Sequence, residues 1–183
     1  MRKIYQIALL MASLTLTQCQ EKDTTFLVTK DRVGKLERSS VLKDLDAIYA
    51  LDSIVKDTTK IRLGSSTKKV RIYEKGGKHL LTLTPSTDSL PVIENIRVYD
   101  QRFVTDKGVG LNSTFKDIKD NYSVRKVVTS LNNVVIFLKE NDMYFTIDKQ
   151  ELPASLRYAS STNIEAVQIP DAARIKYLMI GWD

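Results

Sequence analysis

The sequence predicts an α+β fold: an antiparallel sheet with helices on one face, built from two tandem β-α-β-β-β repeats. Three observations predict it. Val28-Thr29-Lys30-Asp31-Arg32-Val33-Gly34 recurs 76 residues later as Val104-Thr105-Asp106-Lys107-Gly108-Val109-Gly110, with valine, threonine, valine and glycine in the same places. Val70, Ile72, Leu81 and Leu83 match Val134, Ile136, Phe145 and Ile147 at a constant offset of 64. Strand-like runs also outnumber helical ones and are joined by tight-turn residues, which implies hairpins and antiparallel pairing with helices segregated to one face.

Taken in order, Thr24 to Thr29 is a β-branched and aromatic run that reads as a strand. Lys30 to Lys35 is a turn, with Gly34 free to adopt positive φ. From Val41 the period changes: Val41, Leu42, Leu45, Ile48, Tyr49 and Leu51 share one face of a helix. Ser39 or Ser40 supplies the cap. A strand follows at about 60–63. Next comes a hairpin, Val70 to Tyr73 and Leu80 to Thr84 around Lys75-Gly76-Gly77-Lys78, because tight hairpin turns need positive φ. Val92 to Tyr99 completes the first repeat.

The second repeat opens with Arg102 to Thr105 and a turn at Gly108 to Gly110. Ser113 caps a helix whose face is Phe115, Ile118 and Tyr122. Lys43-Asp44 then corresponds to Lys116-Asp117, and Tyr49 to Tyr122. Val124 to Leu131, Val134 to Leu138, Met143 to Asp148 and Ile175 to Trp182 read as strands, with a helical turn at Leu152 to Leu156. Pro91 and Ile96 match Pro170 and Ile175 at an offset of 79. The chain thus divides into residues 1–18, 19–24, 25–101 and 102–183, the last two packing as one globular unit.

The first of these segments carries an address. Arg2 and Lys3 precede a mostly apolar run from Ile4 to Leu16, which is shorter than the ~20 residues a membrane-spanning helix needs and suits a secretory signal. It ends at Leu16-Thr17-Gln18-Cys19, and Cys19 is the sole cysteine. This resembles a bacterial lipobox, in which the thiol takes a diacylglycerol and the amine a further acyl chain such as palmitate; Gln18 departs from the usual small residue. Gln20 is not the aspartate that retains lipoproteins in the inner membrane, so the resemblance implies the outer membrane of a Gram-negative cell envelope. Residues 20–23, Gln-Glu-Lys-Asp, read as a solvated tether or a surface-export signal, leaving the periplasmic and cell-surface faces both open. More than one acyl chain is needed for stable anchoring.

Composition narrows the function. With 183 residues and 43% hydrophobic content the chain can bury a sizeable core. Net charge is +6; removal of Arg2 and Lys3 leaves 26 basic and 22 acidic side chains, +4, alternating in sign along the chain. A nucleic-acid binder concentrates its charge in a stripe, so none is expected as a partner. The sole histidine, His79, sits beside a hairpin turn between Lys78 and Leu80. No Gly-x-Ser-x-Gly elbow, His/Cys cluster or EF-hand spacing is present. Glu140 and Asp142 read as hairpin-turn acids, and Gly108-Val109-Gly110 as a turn rather than a phosphate cradle. No catalytic residue, cofactor or metal is therefore predicted.

Two groups are candidates for binding. Lys69, Arg71, Lys75 and Lys78, with Lys68, belong to one hairpin and its approach. Because Lys69, Arg71 and Tyr73 alternate with Val70 and Ile72, they share the solvent face of a strand. They suit anionic lipid or glycan, and equally suit protection of a sheet edge. Thr29, Gly34, Thr105 and Gly110 from the doubled motif are placed to line a cleft between the halves; their alternative roles are strand filler and turn glycine.

The lipobox, the V-T-x-x-x-V-G element, Gly76-Gly77-Lys78-x-Leu80-Leu81-Thr82-Leu83, Ile93-x-Asn95-Ile96-Arg97-Val98 and residues 109–118 (V-G-L-N-S-T-F-K-D-I) together resemble the RpoE-regulated lipoprotein family. The resemblance covers residues 25–122 best and implies an α+β envelope lipoprotein without an established reaction. The expectation is a non-enzymatic, lipid-anchored protein that binds a partner protein, lipid or glycan. A hydrolase of envelope polymers and a purely structural envelope-stress protein are the two alternatives.

Overall fold

A computed structural model describes residues 23–57, 68–158 and 163–182. The signal and Cys19 lie outside the described residues, as does the strand expected at 60–63. Among the described residues the fold is mostly β, with two sheets and few helices.

Strands β1 (Leu27–Thr29), β2 (Arg32–Val33), β3 (Leu36–Glu37) and β8 (Val104–Thr105) form a small sheet in the order β3-β2-β1-β8. Here the two copies of the repeated motif lie side by side: β1 and β8 run parallel, Leu27 opposite Val104 and Val28 opposite Thr105. The other pairings of this sheet are antiparallel. The large sheet contains β4 (Ser53–Lys56), β5 (Val70–Tyr73), β6 (His79–Pro85), β7 (Ile93–Val98), β9 (Val124–Thr129), β10 (Asn133–Leu138), β11 (Met143–Asp148) and β12 (Ile175–Gly181). Its order is β4-β5-β6-β7-β12-β11-β10-β9, antiparallel throughout.

The β5–β6 hairpin is set by local chemistry. Gly76 and Gly77 take φ of 111° and 94° between β5 and β6, where a side chain would be strained. The registers of the two inner hairpins correspond: Val70 faces Leu83 and Ile72 faces Leu81 in one, Val134 faces Ile147 and Ile136 faces Phe145 in the other.

The helices are shorter than the periodicity predicts, which turns the expected α+β fold into a mostly β one. A 3-10 turn at Leu42–Asp44 leads into α1 (Leu45–Ile48), and α2 spans Phe115–Asn121. The chain leaves the first helix at Tyr49, whose φ and ψ are −111° and 34°, so Leu51 falls beyond it and is 82% exposed. The caps also differ from expectation. Ser40 Oγ accepts from Glu37 N and Ser113 Oγ from Gly110 N. The helix-entry N–H groups are instead met by Asp44, which accepts from Val41 N at 3.3 Å, and Asp117, which accepts from Thr114 N at 2.7 Å. A 3-10 turn at Lys149–Glu151 and α3 (Ala154–Arg157) occupy the region where one helical turn is expected.

A single hydrophobic core joins the layers. Val28, Val33 and Leu36 from the small sheet and Leu45, Phe115 and Ile118 from the helices pack with one face of the large sheet. Ile72, Leu81, Val98, Leu178, Phe145 and Ile136 form a continuous buried row across six adjacent strands of that face.

Candidate functional site

The side chains that alternate with this row emerge on the opposite face of the large sheet. None of the apolar residues there, among them Val55, Tyr73, Tyr99, Phe137, Tyr144, Tyr177 and Met179, belongs to the hydrophobic core. One register row on this face runs Val55, Arg71, Thr82, Arg97, Met179, Tyr144, Phe137, Lys126, one residue from each strand. Successive strand residues point to opposite faces, so the row is fixed by the same registers that build the core.

Aromatic and basic groups on this face are stacked. His79 lies between Tyr73 and Tyr99, with ring centroids 4.7 and 3.8 Å away. A register shift between Ile72 and Tyr73 puts Leu80 out of step and brings His79 opposite Tyr73. The His79 Nε2 lies 3.1 Å from the Leu81 carbonyl and 3.0 Å from Thr82 Oγ1; because a carbonyl only accepts, Nε2 carries the proton. Burial holds the His79 pKa below the ordinary histidine range. Arg97 continues the stack, its guanidinium 4.7 Å from the Tyr99 centroid and 3.6 Å from that of Tyr177. Its Nε is buried without a hydrogen-bond acceptor, and no ion pair of Arg97 occurs among the described residues. Further across, Phe137 and Tyr144 stack at 5.3 Å, Asn95 Nδ2 donates to Tyr144 Oη at 2.5 Å, and Lys126 lies 4.7 Å over Phe137.

The basic hairpin predicted from the sequence is the margin of this face. Val70 and Ile72 are buried while Arg71 and Tyr73 are half-buried, in the alternation expected. Lys69 is exposed on the same side as Arg71, and Arg71 pairs with Asp57 at 3.5 Å. Lys75 is exposed in the turn, and Lys78 is drawn away to Asp100 at 3.1 Å. The group is therefore not one patch.

Asp100 anchors a separate cluster. Its carboxylate accepts from Arg102 Nε and Nη2 and from the Arg102 backbone. Glu74 takes a further bond from Arg102, whose guanidinium stacks on Phe26 at 4.1 Å. Burial alone would raise the Asp100 pKa, but the bonds from Arg102 and Lys78 hold it at about 2. These contacts join the β5–β6 hairpin to the chain entering β8.

The doubled motif does not form one cleft. Thr105 is buried, and its Oγ1 accepts from Val109 N at 3.1 Å. Thr29 Oγ1 accepts from Asp31 N at 3.4 Å. Thr29 lines an open recess of about 610 Å³ with Asp31, Arg32, Glu37, Arg38 and Ser39, where Arg32 pairs with Glu37 and Arg38 with Asp142. Gly110 lines a different recess, about 240 Å³, that includes Lys107, Gly108 and Asn121. A Cβ on Gly34 would lie 2.5 Å from the Thr25 carbonyl oxygen, and one on Gly110 2.6 Å from that of Phe103. Both glycines are required by close backbone approach. Parallel pairing of β1 with β8 explains why the two threonines do not face each other across a cleft.

The sequence places His79 only beside a hairpin turn and does not single out Arg97, Tyr99, Tyr177, Phe137, Tyr144 or Lys126 for this face. The available signal was the alternation Asn95, Arg97, Tyr99 against Ile96 and Val98, repeated in Tyr177 and Met179 against Leu178 and Ile180. Among the described residues no group of three or more His, Cys, Asp or Glu is placed to hold a metal ion, and no helix is long and apolar enough to cross a membrane. Glu140 accepts from Ser123 N at 2.9 Å and Asp142 pairs with Arg38, so both turn acids are engaged in structural contacts.

No family model matches the sequence, and no curated protein matches it. Among solved structures, the chain is similar to the uncharacterized protein yfeY from Escherichia coli. The TM-score is 0.58 at 16% identity, over 84% of this chain and 98% of that one. At this identity the likeness concerns the fold.

Proposed function

We propose that the protein is a non-enzymatic envelope lipoprotein, anchored to the outer membrane through acylated Cys19, that binds an envelope component on the open face of its large sheet. The observation that carries the binding reading is the open face itself. Folding leaves a half-buried array of tyrosines, phenylalanine and basic side chains outside the core, and aromatic and basic surface that the core leaves uncovered suits an interaction site. The anchor rests on Leu16-Thr17-Gln18-Cys19 after an apolar run, with no other cysteine in the chain. Membership of the RpoE-regulated lipoprotein family is part of the same proposal and rests on the motifs that carry the resemblance.

The finer reading of the fold, two tandem repeats, is supported by equivalences of role. Asp44 and Asp117 each accept the backbone N–H three residues earlier. Tyr49 and Tyr122 are each buried at a helix end, with Lys35 and Lys107 over their rings. The strand order reads the same from either edge of the large sheet.

Metabolic labelling with an alkynyl fatty acid tests the anchor. The wild-type chain is expected to incorporate label and Cys19→Ser to lose it. Equal labelling of both would overturn the lipoprotein reading.

A further inference from the structure

The open face has a charge imbalance with a definite geometry. The carboxylates that meet its cations are Asp57, held by Arg71, and Asp148, held by Lys176 at 2.7 Å. Arg97 lies at the centre of the face without such a counter-ion among the described residues, its Nε buried and lacking an acceptor. A guanidinium without a carboxylate partner is open to a charge-assisted bond with an incoming oxyanion.

Two further features narrow the ligand. Arg71, Arg97 and Lys126 occupy one register row on β5, β7 and β9. Adjacent strands are ~4.8 Å apart, so the row sets the first two cations about 10 Å apart and the third about 19 Å beyond. A ligand reaching all three is extended and repeatedly charged. Within the stack from Tyr73 to Tyr177, His79, Tyr99 and Tyr177 each already have two ring or cation partners. Ligands that bind by stacking, as single-stranded nucleic acids do, find these ring faces occupied. Hydrogen-bonding groups lie beside the cations: Thr84 and Asn95 face each other across β6 and β7, half-buried, and although Asn95 Nδ2 is taken by Tyr144 Oη, the Thr84 hydroxyl and the Asn95 side-chain oxygen are acceptors there. These suit the hydroxyls of a sugar chain.

We infer that the open face binds a linear acidic polysaccharide laid across the strands, an oxyanion at Arg97 and further anionic groups along the row toward Lys126. The inference deepens the binding-module reading above and rests on it.

The test uses the full-length chain in detergent, titrated by calorimetry with polygalacturonate, and with neutral dextran, poly(dT) and phosphatidylglycerol vesicles as comparators. Polygalacturonate is expected to bind in a salt-sensitive manner and the comparators at least about tenfold more weakly. Arg97→Gln weakens binding about tenfold or more and Lys126→Gln about threefold, while Lys116→Gln on α2 leaves it unchanged. Lys126 is exposed, so its variant keeps the test valid should Arg97→Gln disturb the fold seen by circular dichroism. The proposal is overturned by poly(dT) or vesicles binding as tightly as polygalacturonate, by no binding at all, or by Lys126→Gln and a folded Arg97→Gln both matching wild type. Fatty-acid labelling is read separately: retained labelling without polysaccharide binding overturns this inference and leaves the anchor, and lost labelling with retained binding does the reverse.

Discussion

Among the described residues, Asp100 gathers two cationic partners, Arg102 and Lys78, on one side chain. It is almost completely buried, yet three nitrogens of Arg102 and the Lys78 ammonium, four in all, converge on it. A folded-state pKa of about 2 lies below the ordinary aspartate value of 3.8. A carboxylate whose pKa is lowered by folding contributes stability that is fully present above its ordinary value and is lost as pH falls through the folded one. Urea unfolding followed from pH 7 to pH 2 is therefore expected to show stability falling between about pH 4 and pH 2. Glu74, Asp117, Glu140 and Asp148 are shifted in the same direction and steepen the fall. Arg102→Gln costs about 1 kcal/mol at pH 7, at the low end for a charge-assisted pair because Arg102 is 40% exposed. That difference shrinks as pH drops below 4. A difference that stays constant to pH 2 would mean Asp100 is not the group responsible.

At the scale of elements, turns rather than helices organise the chain. Around the small sheet the backbone approaches Gly34 and Gly110 closely, at the Thr25 and Phe103 carbonyl oxygens. Gly34 needs both its positive φ of 58° and its missing Cβ, whereas Gly110 needs only the missing Cβ. Gly110→Ala is accordingly expected to cost about 1–3 kcal/mol through overpacking against the Phe103 carbonyl. Gly181→Ala, where the nearest atoms would be 3.9 Å away, stays within about 0.5 kcal/mol of wild type. Thermal melts of the two variants check this, and equal melting temperatures would refute the steric account. The short helices follow the same logic. Asp44 and Asp117 start them correctly, but the chain turns away within four and seven residues to deliver Tyr49 and Tyr122 to the core. Tertiary burial of a tyrosine outweighs the small gain of another helical turn.

For the whole molecule, the decisive contact is the pairing of β7 with β12, Leu178 opposite Val98 and Ile180 opposite Ile96. It welds the strands from the two halves of the chain into one sheet over one core. Unfolding is therefore expected to be a single cooperative transition, with calorimetric and van't Hoff enthalpies equal. Leu178→Ala, at a fully buried position of the seam, should cost about 2–5 kcal/mol and shift that transition without splitting it. Two resolved transitions would show that the halves behave as separate domains.

The sequence by itself determined the local chemistry: the hairpin at Gly76-Gly77, the doubled motif with its glycines, and the strands β5, β6, β7, β9, β10, β11 and β12 of the large sheet. These depend on φ preferences, strand alternation and turn residues, all readable over a few positions. It also placed Lys69 and Arg71 on the solvent side of β5. What only the tertiary structure decided was which distant strands become neighbours. Parallel pairing of β1 with β8 replaced the expected cleft between Thr29 and Thr105 with a packed sheet. Juxtaposition of β6, β7 and β12 brought His79, Tyr99, Arg97 and Tyr177 into one stack, although His79 and Tyr177 are 98 residues apart in the chain. Strand order across a sheet is a long-range choice, set by how two buried faces close over one core, and no local pattern encodes it.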